Sequence, residues 1–480
     1  MVVSVAALAL VGGAPAADIG ANDDTGKYAA DGGAVYFAQM AALGLKESVM
    51  TTRFVPSSPT TIQDQDALDR VIPLAQLAGV SVSLAVYPYP PREVEDGLAT
   101  PGAFAAWLTL VAKRYPGVKK FVVMNEPNQP AFLRPQFRSD GTNASAATAG
   151  AFLAAGYDAL KAVDPAIRVI GLGLSPRGND RSDAQSNIST SPIRFIAALG
   201  AWYRASGRLL PLMDGLSFHP YPNQATDPLD RGYSWPNAGF ADVGRVEQAL
   251  WDAFRDTPQP TTVNGLRLYL DEVGWQVDTS MLTGYSGTEN VPVTDDASQA
   301  VVYAGLVRAV ACNPHIAELN IFGFYDDSTR DSGFQAALNR VDGTPRASAG
   351  AVHDAIVETA TGCEGTVASW YPAKRVVGAI VPTWLVNNAR RVIRFGAVAD
   401  EGAGVVACLL PGHLGGVAAA AEMVRRTAAS PGCSGGKALP SRPARFTMRR
   451  SLPLRPVTVA VRVVAESSAK RSNTFSRTLR

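Results

Sequence analysis

Two glutamates close apolar runs, where burying a carboxylate is costly unless the site has a use for it. One run reads Phe121-Val122-Val123-Met124-Asn125-Glu126-Pro127-Asn128, the other Leu268-Tyr269-Leu270-Asp271-Glu272-Val273-Gly274-Trp275. Two carboxyls in different surroundings suit the cleavage of an acetal near neutral pH. One stays protonated for the leaving oxygen and the other stays ionised against the anomeric carbon. The bland alternative is that each glutamate makes a structural ion pair. A third run ends Ser217-Phe218-His219-Pro220-Tyr221-Pro222 and offers a histidine and a tyrosine at a similar position, although His219 would also suit a satisfied core residue. The four histidines, His219, His315, His353 and His413, are scattered, and the four cysteines form no Cys-x-x-Cys. No metal centre or other cofactor is therefore expected.

The elements that would have to position these groups are legible as β-branched runs alternating with Ala/Leu-rich stretches of helical period. Eight such runs are found at 17–22, 47–54, 80–87, 120–125, 168–174, 215–219, 266–272 and 319–324. Helices are expected at 66–77, 102–115, 148–163, 191–206, 243–254 and 297–311. Eight βα units predict a (β/α)8 TIM barrel, in which strand ends and the loops after them build the site at one face. Loops after the fourth to seventh runs are long and polar, as the walls of a groove would be. A doubly wound dinucleotide fold would want a Gly-rich turn after the first strand, and Gly20-Ala21-Asn22-Asp23 is not one.

The 480 residues, 47% of them apolar, carry 44 basic and 42 acidic side chains, a balance that excludes a nucleic-acid binder working by bulk charge. That balance hides an asymmetry, because residues 372–480 hold 18 Lys/Arg against 4 Asp/Glu. The barrel is expected over 17–362 and a basic, β-rich accessory domain with a sandwich-like fold over 363–480. Its basic tail reads either as a solvated surface or as a module held near an anionic cell-envelope polymer. Residues 1–13 are nearly all Val, Ala and Leu, and Ala14-Pro15-Ala16 has the pattern of a cleavage site, so 1–16 is expected to be a signal peptide and the protein secreted. In that compartment Cys312, Cys363, Cys408 and Cys433 are expected to form disulfides, most simply 312 with 363 and 408 with 433, although spacing alone leaves three pairings open.

In its Asn125-Glu126-Pro127 and Glu272-Val273-Gly274-Trp275 motifs, on the fourth and seventh strands, the chain resembles the clan A glycoside hydrolases, the (β/α)8 retaining glycosidases that include cellulase-like and β-xylosidase-like families. The resemblance covers about 17–350. It implies that Glu126 is the acid/base, that Glu272 is the nucleophile and that Asn125 binds the sugar hydroxyl beside the anomeric carbon. It further implies sugar or nucleophile contacts for His219 and Tyr221, and a place near the nucleophile for Arg53, whose fixed cation would keep Glu272 ionised. Tyr87, Trp235 and Trp275 are candidate sugar platforms, since aromatic faces match the C–H faces of pyranoses. The clan often ends strand eight in Trp, where this chain reads Phe322-Gly323-Phe324. The implied substrate is an oligosaccharide or polysaccharide joined by β-glycosidic bonds. Arg134, Arg138, Arg177 and Arg181 admit an acidic or acetylated one. The alternative from another class is a carbohydrate-binding or scaffold protein on a degenerate barrel.

Overall fold

Strands rich in Val, Ile and Leu that recur between amphipathic helices bury both faces when they pair in parallel under a helical layer. In the computed structural model of the protein they do so and close on themselves. The structure describes residues 17–289, 291–311 and 313–360, together with the backbone of seven strands between 383 and 479. Strands β1 (Asp18–Asn22), β2 (Glu47–Phe54), β3 (Ser81–Pro88), β4 (Lys120–Val123), β5 (Arg168–Leu174), β6 (Gly215–Phe218), β7 (Arg267–Val273) and β8 (Ile316–Phe322) form the barrel in chain order, and β8 returns to pair with β1. Around them run α1 (Thr25–Tyr28), α2 (Ala34–Ala42), α3 (Gln65–Leu77), α4 (Pro91–Glu95), α5 (Pro101–Arg114), α6 (Ser145–Val163), α7 (Pro192–Ser206), α8 (Val243–Phe254), α9 (Asp296–Ala311) and α10 (Ala347–Thr359). Local chemistry sets several ends. Thr100 accepts from the Ala103 N–H at 3.2 Å with Pro101 in the first turn of α5, and α7 begins at Pro192 and stops at the left-handed Gly207.

The eighth strand departs from expectation. It spans Ile316–Phe322 rather than 319–324, because it contains Glu318, a charge that breaks an apolar run. Inside the barrel that charge has partners. Lys120 on β4 bonds Glu318 on β8 and, at 2.7 Å, Glu47 on β2. These strands are not neighbours, so the three side chains meet in the lumen. Burial raises both carboxyls, Glu318 to about 8, with Lys120 pulling each back down. A second inner cluster is apolar: Val49, Ala85, Val122, Ile170, Tyr269 and Ala317. Strand alternation carries these inward stripes on to the C-terminal ends, as in Glu47, Val49, Thr51 and Arg53. Outside the barrel, Phe104, Trp107, Phe152, Phe195 and Phe254 belong to the main core under the helices.

The chain divides into two compact units, with residues 372–480 in the second. Within it lie β9 (Thr383–Asn387), β10 (Val392–Ala399), β11 (Gly404–Pro411), β12 (Cys433–Lys437), β13 (Ala444–Ser451), β14 (Val457–Val464) and β15 (Ser472–Leu479). They form antiparallel sheets ordered β13-β10-β9 and β12-β11-β14-β15. β12 reads Cys-Ser-Gly-Gly-Lys and β15 is largely polar, so neither carries a strong strand signal of its own. The register sets Cys408 directly opposite Cys433. The expected signal segment 1–16, the expected boundary at 362/363, Cys312 and Cys363, and the side chains of the basic tail lie outside the described residues. No helix among the described residues is long and apolar enough to cross a membrane.

Candidate active site

β4 ends at Val123, and the backbone then turns through left-handed conformations at Met124 (φ 75°) and Glu126 (φ 37°). Non-glycine residues adopt this region at a cost, and they persist there when the surroundings hold them. Here the Glu126 N–H donates to the Gly173 carbonyl at 2.9 Å. Asn128, fully buried, donates to the carbonyls of Ser175 (3.1 Å) and Thr190 (2.9 Å) and accepts from the Ser175 N–H (3.0 Å). The Asn-Glu-Pro-Asn turn is thereby clamped onto the segment after β5. On the far side, the pairing of β7 with β8 shifts register between Leu270 and Val273. That irregularity lets the successive residues Asp271 and Glu272 both address the same partner.

The partner is His219, just beyond β6 and wholly buried. Its Nδ1 lies 3.1 Å from Glu126 Oε1 and 3.3 Å from Glu272 Oε2, and its Nε2 lies 3.4 Å from Asp271 Oδ1. One oxygen of each glutamate and one His219 nitrogen all fall within 4.8 Å of one another. The Tyr221 hydroxyl donates to Glu272 Oε2 at 3.1 Å, and Asn22 Nδ2 reaches Glu272 Oε1 at 3.4 Å. Ser217 donates to Asp271, and Asn22 also donates to the Asp271 carbonyl at 3.0 Å.

The electrostatics follow from this crowding. Burial opposes charge on His219, but Glu272 and Asp271 outweigh it and hold the ring well above the usual histidine range, as an imidazolium. Burial pushes the Glu272 carboxyl up to about 7; the His219 cation pulls it down, while the charges of Glu126 and Asp271 push it further up. Glu272 therefore keeps its proton to a higher pH than an ordinary glutamate, although the buried His219 cation stands beside it. Glu126, His219 and Glu272 also have the composition of a metal site, but a cation there would compete with the proton held on His219.

Of the residues singled out from sequence, Glu126, Glu272, His219 and Tyr221 meet at one point. Asn125 stands beside them, its Oδ1 bordering the space above Gly173 that His219 also borders. Arg53 ends the inward stripe of β2 with its guanidinium 4.8 Å from the centre of the Tyr89 ring, and among the described residues no Lys or Arg forms an ion pair with either glutamate. The cation beside Glu272 is His219. Tyr87 is nearly buried, packs edge-on against Phe132 at 5.9 Å and has its hydroxyl pushed up to about 12 by burial, with Arg53 opposing and Glu272 adding. Trp235 is half-buried in the connection from β6 to α8, with Arg194 5.6 Å from its ring centre. The expectation for Trp275 is corrected. It is 2% exposed, packs against Tyr303 and donates from Nε1 to the Asp227 carbonyl at 2.8 Å, which makes it a strut for the β6–α8 connection and leaves no face for a sugar. At the end of β8, Phe322 packs edge-on with Tyr221 and Phe334.

Sequence reasoning missed Asn22, Asp271, Asn128 and Gly173. The first three were visible as polar residues at strand ends, but their partners come from distant strands. Gly173 (φ 52°) was visible only as a glycine in an apolar run; a Cβ there would lie 2.8 Å from His219 Nε2.

From Glu126 an open cleft of about 560 Å3 runs between the segments after β4, β5 and β6, lined by Gln129, Ala131, Ser175, Arg177, Gly178, Asn179, Asn187, Ser189 and Asn237. Glu126 lines it and Glu272 does not.

No family model matches the chain, and no curated protein matches it in sequence. Among solved structures it is similar to a monomeric β-xylosidase from Caulobacter crescentus CB15, at 14% identity over 95% of this chain and 98% of that one, with a TM-score of 0.48. It is also similar to a glucosidase from Croceicoccus marinus (11% identity, 94% and 96%, TM-score 0.48) and to xylanase 10B from Thermotoga maritima (14% identity, 71% and 94%, TM-score 0.41).

Proposed function

We propose that the protein is an exported glycoside hydrolase that cleaves β-glycosidic bonds of an oligosaccharide or polysaccharide with retention of configuration. The observation that carries this reading is the approach of Glu126 and Glu272, with oxygens within 4.8 Å of each other across the barrel mouth. Double displacement needs carboxyls about 5 to 5.5 Å apart, whereas an inverting pair needs roughly 6.5 to 9.5 Å to admit a water.

In the first step a Glu272 oxygen bonds to the anomeric carbon as the bond to the leaving oxygen breaks, and Glu126 gives that oxygen its proton. Tyr221 and Asn22 each hold one Glu272 oxygen, which fixes the line of attack. In the second step Glu126 takes a proton from water, the water oxygen bonds to the anomeric carbon and Glu272 departs as carboxylate. The His219 imidazolium faces both glutamates throughout and compensates whichever is ionised. The preference for β-linkages rests on the clan A resemblance, and export rests on the pattern of residues 1–16.

The test is a panel of aryl β-glycosides, followed by trapping with the matching 2-deoxy-2-fluoro glycosyl fluoride. The expected result is turnover with the product released in the β-configuration, and a single added glycosyl mass on the peptide containing Glu272. Release of the α-anomer would overturn the retaining mechanism, and label on another residue would overturn Glu272 as the nucleophile.

A further inference from the structure

The cleft beyond Glu126 names a substrate class, provided the glycosidase reading above holds. In the glycosidase reading Glu126 protonates the leaving oxygen, so a cleft that Glu126 lines and Glu272 does not is the place for the leaving sugar. None of its lining residues is aromatic, and apart from Glu126 the one charged residue is Arg177. Recognition there must come from hydrogen bonds and charge rather than from stacking.

The segment that carries Arg177 is held in place. Gln129 donates to the Arg177 carbonyl, the Gly178 N–H donates to Asn237 Oδ1 at 3.0 Å, and the Ala238 N–H donates to the Pro176 carbonyl at 2.9 Å. The Arg177 side chain is exposed and forms no ion pair among the described residues. Its charge opposes the rise that burial gives the Tyr233 hydroxyl. An unopposed guanidinium on a pinned segment is pre-organised for a planar or tetrahedral anion, which it can grip through two parallel N–H bonds. The 371 residues before 372 carry 26 basic and 38 acidic side chains, so an anionic sugar would find little other welcome on this part of the chain.

We propose that the leaving-side subsite takes a sugar bearing an anionic group, a carboxylate or a sulfate ester, and that Arg177 is the residue that reads it.

The experiment uses β-linked disaccharides that share a non-reducing sugar cleaved as its aryl glycoside and differ in the reducing-side residue: a neutral hexose, the matching uronic acid, or the sulfated hexose. The quantity read is the ratio of kcat/KM for the acidic substrate to that for the neutral one. In the wild type this ratio should be about fivefold or more, as suits one exposed charge pair, and should shrink as salt is raised. Arg177→Ala should bring it to about one, and Arg177→Glu should invert it. Arg177→Lys should keep part of it, because the charge survives but the fork does not. The uronate and sulfate arms show which anion is read, and a preference for either supports the proposal. A wild-type ratio near one on both, or an acid preference that survives Arg177→Glu, overturns it. Failure to cleave any aryl glycoside would instead overturn the glycosidase reading itself.

Discussion

Asp271 Oδ1 faces His219 Nε2 at 3.4 Å, on the side of the ring away from the two glutamates. Asp271 is 2% exposed and is itself held by Ser217, so the contact is fixed. A buried imidazole thus has carboxylates on both nitrogens, and the chain supplies its own counter-cation at the centre of the site without a lysine or arginine.

Asp271→Asn removes one of the charges that raise His219 while leaving the shape nearly unchanged. The ring should then lose its proton at lower pH than in the wild type. With four histidines in the chain, a 15N NMR titration can resolve it. The wild-type ring should stay doubly protonated above the usual histidine range, and the variant's midpoint should move down. An unmoved midpoint would mean that the glutamates alone hold the proton.

The pH dependence of turnover should follow Glu272. Because burial raises its carboxyl to about 7 and a nucleophile must be ionised, kcat/KM should rise as pH climbs through about 7. In Glu126→Ala, assayed with an activated aryl glycoside and azide, no acid is needed and one of the charges that raise Glu272 is gone. The acid limb should then move to lower pH than in the wild type. An acid limb that stays where it was would place the titrating group elsewhere.

Glu272 also links pH to stability. Its folded-state value of about 7 exceeds the ordinary 4.5, so its favourable contribution is complete below about pH 4.5 and is lost as pH rises through about 7. Replacing it with Gln removes that loss. The melting temperature of Glu272→Gln relative to wild type should therefore climb between pH 5 and pH 8, while turnover falls by a factor of 10^4 or more, a scale typical of losing a nucleophile. A difference in melting temperature that is flat across this range would contradict the raised carboxyl.

Gly173→Ala should act on chemistry more than on folding. The added methyl would lie 2.8 Å from His219 Nε2 and 3.4 Å from Asn125 Oδ1, on a backbone at φ 52° that disfavours any side chain. Displacing His219 should lower kcat by about 10- to 100-fold, and stability by about 1–3 kcal/mol. Steady-state kinetics beside a thermal melt would separate the two, and wild-type kcat would show that His219 need not hold its place.

In the second unit, Cys408 and Cys433 are cross-strand partners, a spacing that a disulfide can bridge. Peptide mapping without reductant should recover 408 linked to 433. Recovery of either cysteine joined to 312 or 363 would refute this pairing.

The barrel was legible in the sequence because its determinants are local: β-branched runs set the strands, helical period set the helices, and β2 and β5 fall on the expected bounds. The two glutamates were legible for the same reason, since a carboxylate that ends an apolar strand is visible without knowing what surrounds it. What surrounds it was not. Glu318 hid the start of β8, because a buried charge is tolerated only when Lys120 reaches it from another strand. Trp275 read as a platform and proved a strut, since exposure depends on where the β6–α8 connection crosses. His219 read as a sugar contact or a satisfied core residue, and only the folded chain sets its ring 3.3 Å from Glu272 as the cation beside it. Asn22 and Asp271 come to the site from β1 and β7, 249 residues apart in the chain. Spacing along a chain carries no record of such meetings. Closing eight strands into a ring created them, because only then do the ends of β1, β4, β6 and β7 share one mouth and one buried proton.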